Sequence, residues 1–443
     1  MIIEYDKDIK IAGIGQSPWQ RFGPQCWFNN YAIVSQDRST ITKGQLGSAK
    51  LFILPKKLRE NGKSTAALKN IVKTEWFKKL ASTDLLGYSY LAYRPIVSEL
   101  PIKLITNNFS ISEKYENKAS FRVLFDKLVT FPEYEIAESN ELNSLLTYKK
   151  YNEKWGEIVL QDEELSGGVG TYIVKNYNDY KDAIKNLSIR HKKIIISDRI
   201  SNGTDYSVQC CVTKYGIFVS PLQKQIISSP VLSNTELSGG EKFNGVQIGE
   251  LGVSADIENQ ARSSARVIGD YMKKDGFKGI FSVDFFIDKD NEQVYTLETN
   301  PRMTGVTPLY NLIQAGSDTP LPLLHILEVG DYDYSIPSFA KNMLDVDIPK
   351  VSMLILRSKK TTDYVAKNFV KSGTYSISGE YISDNLRMEN ADILLESYVS
   401  EGDKISPGDK IASLFVRGSD IGKGVAEVTK EYQPIINKLY GMI

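Results

Sequence analysis

The run Phe281-Ser-Val-Asp-Phe-Phe-Ile-Asp288, followed by Val294-Tyr-Thr-Leu-Glu-Thr-Asn-Pro-Arg-Met-Thr-Gly305, constrains this chain more than any other. Asp288-Lys-Asp-Asn291 is a turn between two apolar strands, so the segment reads as a β-hairpin. Side chains alternate across a strand, so Asp284 and Glu298 can share a face, with Asn300 two positions beyond Glu298. The apolar flanks argue against incidental surface acids for these three and for Arg302, whereas Asp288, Asp290 and Glu292 read as solvated turn residues. Mg²⁺ is typically held by one or two carboxylates, with phosphates and waters completing its octahedron. Arg302 adds a planar two-pronged donor for a carboxylate or phosphoryl group.

The rest of the chain fits a small-molecule enzyme. Its 443 residues are enough for about three domains. Lys+Arg and Asp+Glu both total 54, so no net field favours nucleic acid or an anionic membrane. The beginning of the chain is acidic and lacks the pattern of a signal peptide, and no stretch approaches the 18 apolar residues of a membrane span. A soluble, cytoplasmic protein is expected. Cys26, Cys210 and Cys211 form no CxxC pair, and adjacent Cys210 and Cys211 should point to opposite faces of a strand as buried thiols. His191 lies in a basic run and reads as solvated, His325 in an apolar one and reads as core.

Three regions are expected. Residues 1–112 carry buried strands at Leu51–Leu54 and Ile102–Ile105 and a helical pattern over 64–81, giving an open α/β domain. The Gly13-Ile-Gly15 turn lacks the third glycine of a dinucleotide fingerprint, which excludes that reading. Residues 113–345 hold a helix over Lys118–Leu128, strands at 157–161, 171–175, 193–197 and 206–213, and a helix over about 256–274. Residues 228–247, rich in Ser, Gly and Asn, read as a long loop or lid. Residues 346–443 are β-rich, with a Gly-Asp-Lys-Ile turn at 402–405 repeated at 408–411. That spacing resembles the small β-sandwich of biotinyl and lipoyl carrier domains, without a lysine site to modify, so a structural β-domain is expected.

Leu297-Glu-Thr-Asn-Pro-Arg302 resembles the metal motif of the ATP-grasp superfamily, which carboxylate–amine ligases and biotin carboxylases share as Glu-x-Asn-x-Arg or a close variant. The resemblance implies an ATP-grasp fold: an N-terminal open α/β domain, central nucleotide-clamping α+β subdomains with the flexible one over about 135–195, and a C-terminal β-rich domain. It implies Mg²⁺ (or Mn²⁺) on Asp284, Glu298 and Asn300, and the acyl substrate on Arg302. Upstream, Lys118 falls where the family has its first ATP lysine, and Ser166, Gly167, Gly168, Gly170 and Thr171 fall on its phosphate-covering glycine loop. Ser197, Asp198 and Ile200 match the adenine-contacting strand and hinge. Asp205 matches the ribose acid, and Lys224 a basic side chain facing the substrate.

One position departs from the family. The strand before the glycine loop usually ends in a second ATP lysine, and here it ends in Gln161. Either another cation, such as Lys224, Lys242 or Arg199, compensates, or ATP binds weakly on a degenerate, non-catalytic version of the fold.

The expected activity is therefore ATP-dependent, ADP-forming ligation of a small-molecule carboxylate to an amine through an acyl phosphate. Amino acids or peptides are the default substrates, and ATP and Mg²⁺ the cofactors. A biotin-carboxylase-like reaction ranks below it because Met303-Thr-Gly-Val follows the motif where that family has a histidine. No nucleic-acid or membrane partner is expected, and a homodimer is compatible with such a protein.

Overall fold

The computed structural model describes residues 3–15, 18–35, 41, 43–53, 75, 78, 86–88, 103–165, 170–187, 193–237, 242–249, 251–314, 317–337, 346, 348–384, 393–417, 422–423, 427–428, 430 and 432–442. The first sheet is parallel, with strands Lys50–Ile53, Asn30–Ser35, Lys10–Gly15, Leu86–Tyr88 and Lys103–Ile105 in spatial order. Ile11, Ala12, Ile14, Ile33 and Val34 are buried in it. Both faces of a parallel sheet are covered, which is why its strands read as unbroken apolar runs. Gly13 serves packing: a Cβ there would lie 2.1 Å from the Tyr31 hydroxyl. Of the helix expected over 64–81, only Glu75 and Lys78 fall within the described residues, both helical and ion-paired at 2.7 Å.

The second sheet is antiparallel, in the order Tyr134–Glu138, Lys193–Asp198, Ile158–Asp162, Thr171–Val174. Its strands alternate cleanly. Ile158, Leu160, Ile194 and Ile196 face the helices Leu145–Trp155 and Tyr177–Leu187, in one core with Tyr148, Tyr151, Tyr180 and Leu187. Alternation sends Val159 and Gln161 to the other face.

The third sheet is the frame of the molecule. Val294–Asn300, Gly279–Asp288, Gly203–Thr213, Gln223–Ile227, Phe243–Ile248, Val351–Arg357, Lys410–Arg417, Ile393–Ser397, Gly373–Tyr375 and Tyr381–Ser383 follow one another, all antiparallel, with Gly216–Val219 branching from Gly203–Thr213. The long amphipathic helix Ala255–Lys274, capped by the Ser254 side chain, covers one face with Ile257, Ala261, Ala265, Ile268 and Met272. Helix Leu321–Val329 covers the other face together with the buried N-terminal aromatics Trp19, Trp27 and Phe28. Cys210 belongs to the first core and Cys211 to the second, so the adjacent thiols do face opposite ways. His325 is buried on the second face. Its Nδ1 accepts the Ile280 amide at 3.0 Å, and burial lowers its pKa to about 3, so it is a neutral packing residue.

Two expectations change. The segment 228–247 is not one long lid, because Phe243–Ile248 is an interior strand between Gln223–Ile227 and Val351–Arg357. Its polar appearance comes from Asn244, buried and donating to Ile355 O, and from Gly245 at φ +142. A Cβ on Gly245 would lie 1.9 Å from Met353 O, so close strand approach dictates the glycine. The β-rich tail extends the frame sheet rather than closing a sandwich of its own, and it ends in a helix, Gln433–Met442, packed through Ile435, Ile436 and Leu439. No helix among the described residues is long and apolar enough to cross a membrane.

Candidate active site

The hairpin forms as its sequence predicts, with Asp284 paired directly to Glu298 and Ser282 to Asn300. A bulge between Asp284 and Phe285 lets both apolar faces continue while the two acids stay opposite each other. Asn300 Nδ2 donates to Asp284 Oδ2 at 3.1 Å, and Gln225 Nε2 donates to Oδ1 at 3.2 Å. Burial, with Glu298 opposite and Asp205 nearby, pushes the Asp284 carboxyl well above the usual carboxylate range, against the opposing pull of Asn300 and Arg302. Arg302 is braced on both sides: its Nε donates to Glu116 at 2.8 Å and its Nη2 to Asn300 Oδ1 at 3.0 Å.

Lys118 arrives from a helix. Asn117 caps Lys118–Phe125 by accepting the Ser120 amide at 2.9 Å, and it donates to Glu163 at 3.0 Å. The Lys118 amide binds Glu163 O at 2.9 Å and its ammonium donates to Leu165 O, so the segment before the glycine loop is latched to the helix start. The same ammonium lies 3.1 Å from Glu298 Oε2, buried to 7% side-chain exposure. Asp284, Glu298, Asn300, Gln225, Lys118 and Arg302 thus converge from three elements onto one patch.

This donor set fits a divalent cation carrying an anionic ligand. Two facing, half-buried carboxylates, one of them held by neutral amides, are electrostatically costly until a cation lies between them. No group of three or more His, Cys, Asp or Glu poised for a metal occurs among the described residues. Mg²⁺ needs no such group, since one or two carboxylates suffice when phosphate and water supply the rest.

A second charged centre lies one helical turn from Lys118. Arg122 is 1% exposed, and its Nη2 donates to Gln161 Oε1 at 3.0 Å. Its Nε and Nη1 have no hydrogen-bond partner among the described residues. Burial lowers its pKa to about 10, while Tyr134 and Glu298 act to raise it. The guanidinium lies 5.1 Å from the Tyr134 ring and 5.7 Å from the Phe131 ring. Such contacts contribute about 0.5–2 kcal/mol each, against an effective penalty of several kcal/mol for a buried ion. One neutral amide does not close that gap.

Comparison with known proteins gives the fold that carries this arrangement. Residues 112–306 match the family model described as an ATP-grasp domain. This stretch has the ATP-grasp fold. No curated protein matches the chain. Solved structures match over nearly its whole length at low identity. N5-carboxyaminoimidazole synthase from Aspergillus clavatus, in complex with ADP and 5-aminoimidazole ribonucleotide, superposes with a TM-score of 0.59 at 15% identity, over 98% of this chain and 99% of that one. The biotin carboxylase domain of Hydrogenobacter thermophilus 2-oxoglutarate carboxylase, complexed with MgADP, ADP and bicarbonate, gives 0.64 at 12% identity, over 93% and 87%. The Staphylococcus aureus N5-carboxyaminoimidazole synthetase, with ADP, gives 0.57 at 14%, over 99% and 100%. The fold is the ATP-grasp fold throughout.

Within the ATP-grasp domain, the remaining expected residues distribute as follows. Ser166, Gly167 and Gly168 lie outside the described residues. Gly170 has φ +82, and a Cβ there would meet Leu165 Cδ1 at 2.8 Å and Asp162 Cβ at 2.9 Å. Thr171 accepts weakly from Gln161 Nε2, at 3.5 Å. Ser197 and Asp198 end the strand Lys193–Asp198, where burial and Glu133 push the Asp198 carboxyl up, and Ile200 follows it. Asp205 is close enough to Asp284 to act on its titration. Lys224 is paired with Tyr206 and Gln247, and its neighbour Gln225 is the residue of this strand that reaches Asp284.

Among the cations expected to compensate for Gln161, Arg199 pairs with Glu157 at the far end of the strand, since Ile158 pairs with Asp198 and Gln161 with Ile195. A cation that does touch Gln161 is Arg122. Its spacing of four from Lys118 on an expected helix was the available clue. Gln225 was likewise discernible, one position from the residue singled out.

Proposed function

We propose that the protein activates a small-molecule carboxylate with Mg·ATP and joins it to an amine, releasing ADP and phosphate. The observation that carries this reading is the in-register pair Asp284 and Glu298, flanked by Lys118 and Arg302 on one patch of an ATP-grasp domain. Bound there, Mg·ATP would supply the γ-phosphoryl group that makes a carboxylate electrophilic as an acyl phosphate. Glu298, Asp284 and Asn300 would hold the cation. Lys118, already buried beside Glu298, would offset phosphate charge without reorganising. Arg302, fixed by Glu116 and Asn300, would present its fork to the acyl carboxylate. Ser197, Asp198, Ile200 and Asp205 would line the nucleoside end, and the glycine segment through Gly170 and Thr171 the phosphate end. Amino acids or peptides are the substrates this reading takes first.

A second reading makes bicarbonate the carboxylate. Its support is the near-complete superposition on two groups of carboxylating enzymes, one structure of which holds bicarbonate and another 5-aminoimidazole ribonucleotide. Phosphorus NMR separates the outcomes. ATP incubated with amino-acid and dipeptide pairs, or with bicarbonate and amine acceptors, should give ADP and phosphate for one panel only. AMP and pyrophosphate from either panel would contradict acyl-phosphate chemistry.

A further inference from the structure

The buried guanidinium of Arg122 has no role in the folded chain that matches its cost. Among the described residues only Nη2 makes a hydrogen bond, and to a neutral amide, while Glu298 and the Tyr134 and Phe131 rings act on the charge without bonding it. Gln161 is oriented to accept from Arg122 and cannot itself neutralise an anion. Helix Lys118–Phe125 carries Lys118 and Arg122 one turn apart, the first against Glu298 and the second against Gln161. The guanidinium therefore bonds to the strand end that leads into the glycine segment and is near enough to Glu298 of the carboxylate pair for that charge to act on it.

We propose that Arg122 binds the phosphate oxygens of the nucleotide through Nε and Nη1, with Gln161 as the residue that aims it. This rests on the Mg·ATP reading above. A guanidinium keeps its charge and carries five N–H donors, so a cation reaching in from the helix can serve where the strand carries none, with Nε and Nη1 donating to different oxygens. Gln161 is a positioning residue: its oxygen fixes the fork and its amide contacts Thr171. The arrangement also explains why the strand needs no lysine. A second cation at position 161 would face Arg122 directly.

The test is calorimetric titration of Mg·ATP, Mg·ADP and adenosine into the full chain, Arg122→Met, Gln161→Lys and the double variant Arg122→Met/Gln161→Lys. Thermal melts of each ligand-free protein accompany the titrations. Arg122→Met should weaken Mg·ATP and Mg·ADP by about 10- to 100-fold, the scale of a charge-assisted contact, and leave adenosine within about twofold. Its ligand-free melting temperature should hold or rise, because a buried charge with a single hydrogen bond is gone. Gln161→Lys alone should weaken the nucleotides, and the double variant should regain most of what Arg122→Met lost. Nucleotide affinity of Arg122→Met equal to the parent's overturns the proposal. So does equal loss of adenosine, or a fall in ligand-free stability with loss of every ligand, which would make Arg122 a packing residue. If the parent itself binds no Mg·ATP, the nucleotide reading fails first and Arg122 falls with it.

Discussion

The two ends of the patch solve the same electrostatic problem differently. At the hairpin, charges of both signs are interlocked: Glu116 with Arg302, Lys118 with Glu298, and Asp284 between two amides. At the small sheet, one buried cation has one neutral hydrogen-bond partner and two aromatic rings beside it, with Glu298 acting on it only through space. The hairpin end has an excess of carboxylate and is suited to gain a cation. The small-sheet end has an excess of positive charge and is suited to gain an anion. A magnesium–nucleotide complex carries both, and the contrast between the two ends is what such a ligand would erase.

The largest expected effect lies at the hairpin. Glu298→Gln keeps shape and removes one of the two facing charges proposed to hold the metal, and should lower ATP turnover by about a thousandfold or more while circular dichroism stays unchanged. Undiminished turnover would remove the carboxylate pair from the chemistry.

Next in size is Arg302→Lys. It preserves charge but loses the fork, and should lower carboxylate-dependent turnover by about 10- to 100-fold with nucleotide affinity little changed. Equal loss in both would move Arg302 from substrate to phosphate.

Asp284 gives a pH-dependent prediction. Its folded pKa lies above its unfolded one, so its contribution to stability is full below the unfolded pKa and is lost as pH rises through the folded pKa. Melts of the ligand-free protein should therefore show Asp284→Asn gaining on the parent as pH rises from the acid range toward neutrality. The variant should bind Mg·ATP poorly at the same time. A variant less stable than the parent at neutral pH would show that the acid pair carries no stored repulsion.

The smallest effect belongs to the link between the two ends. Asn117→Ala removes the cap of the helix that carries both Lys118 and Arg122, and should cost about 1 kcal/mol in denaturant unfolding. Nucleotide affinity should fall by only a few-fold, because Lys118 keeps its Glu163 and Leu165 contacts.

The contrast also explains what was legible in the sequence. The hairpin's chemistry is local: Asp284, Glu298, Asn300 and Arg302 lie within 19 residues of one another, and strand alternation alone places three of them. The small-sheet end needs two segments about forty residues apart, Arg122 on a helix and Gln161 on a strand, brought together only by packing. Gln161 stood out as a lysine lost, but its partner had no motif to mark it. Glu116 was hidden for the same reason, defined by a neighbour across the fold, and Gln225 shows only as the residue next to Lys224. The strand Phe243–Ile248 was hidden by composition, since Asn244 and Gly245 serve hydrogen bonding and close approach inside the sheet. Alternation in the small sheet and the helical periodicity of 255–274 were plain because each has a single buried face.

The measurement closest to the central claim is Mn²⁺ uptake followed by electron paramagnetic resonance, with and without ATP, in the parent and in Glu298→Gln. It needs no knowledge of the carboxylate or the amine. The parent should take up Mn²⁺ together with ATP, each tightening the other, and Glu298→Gln should lose that coupling. Equal uptake by both proteins, or ATP binding indifferent to the metal, would contradict a magnesium–nucleotide site on the Asp284–Glu298 pair.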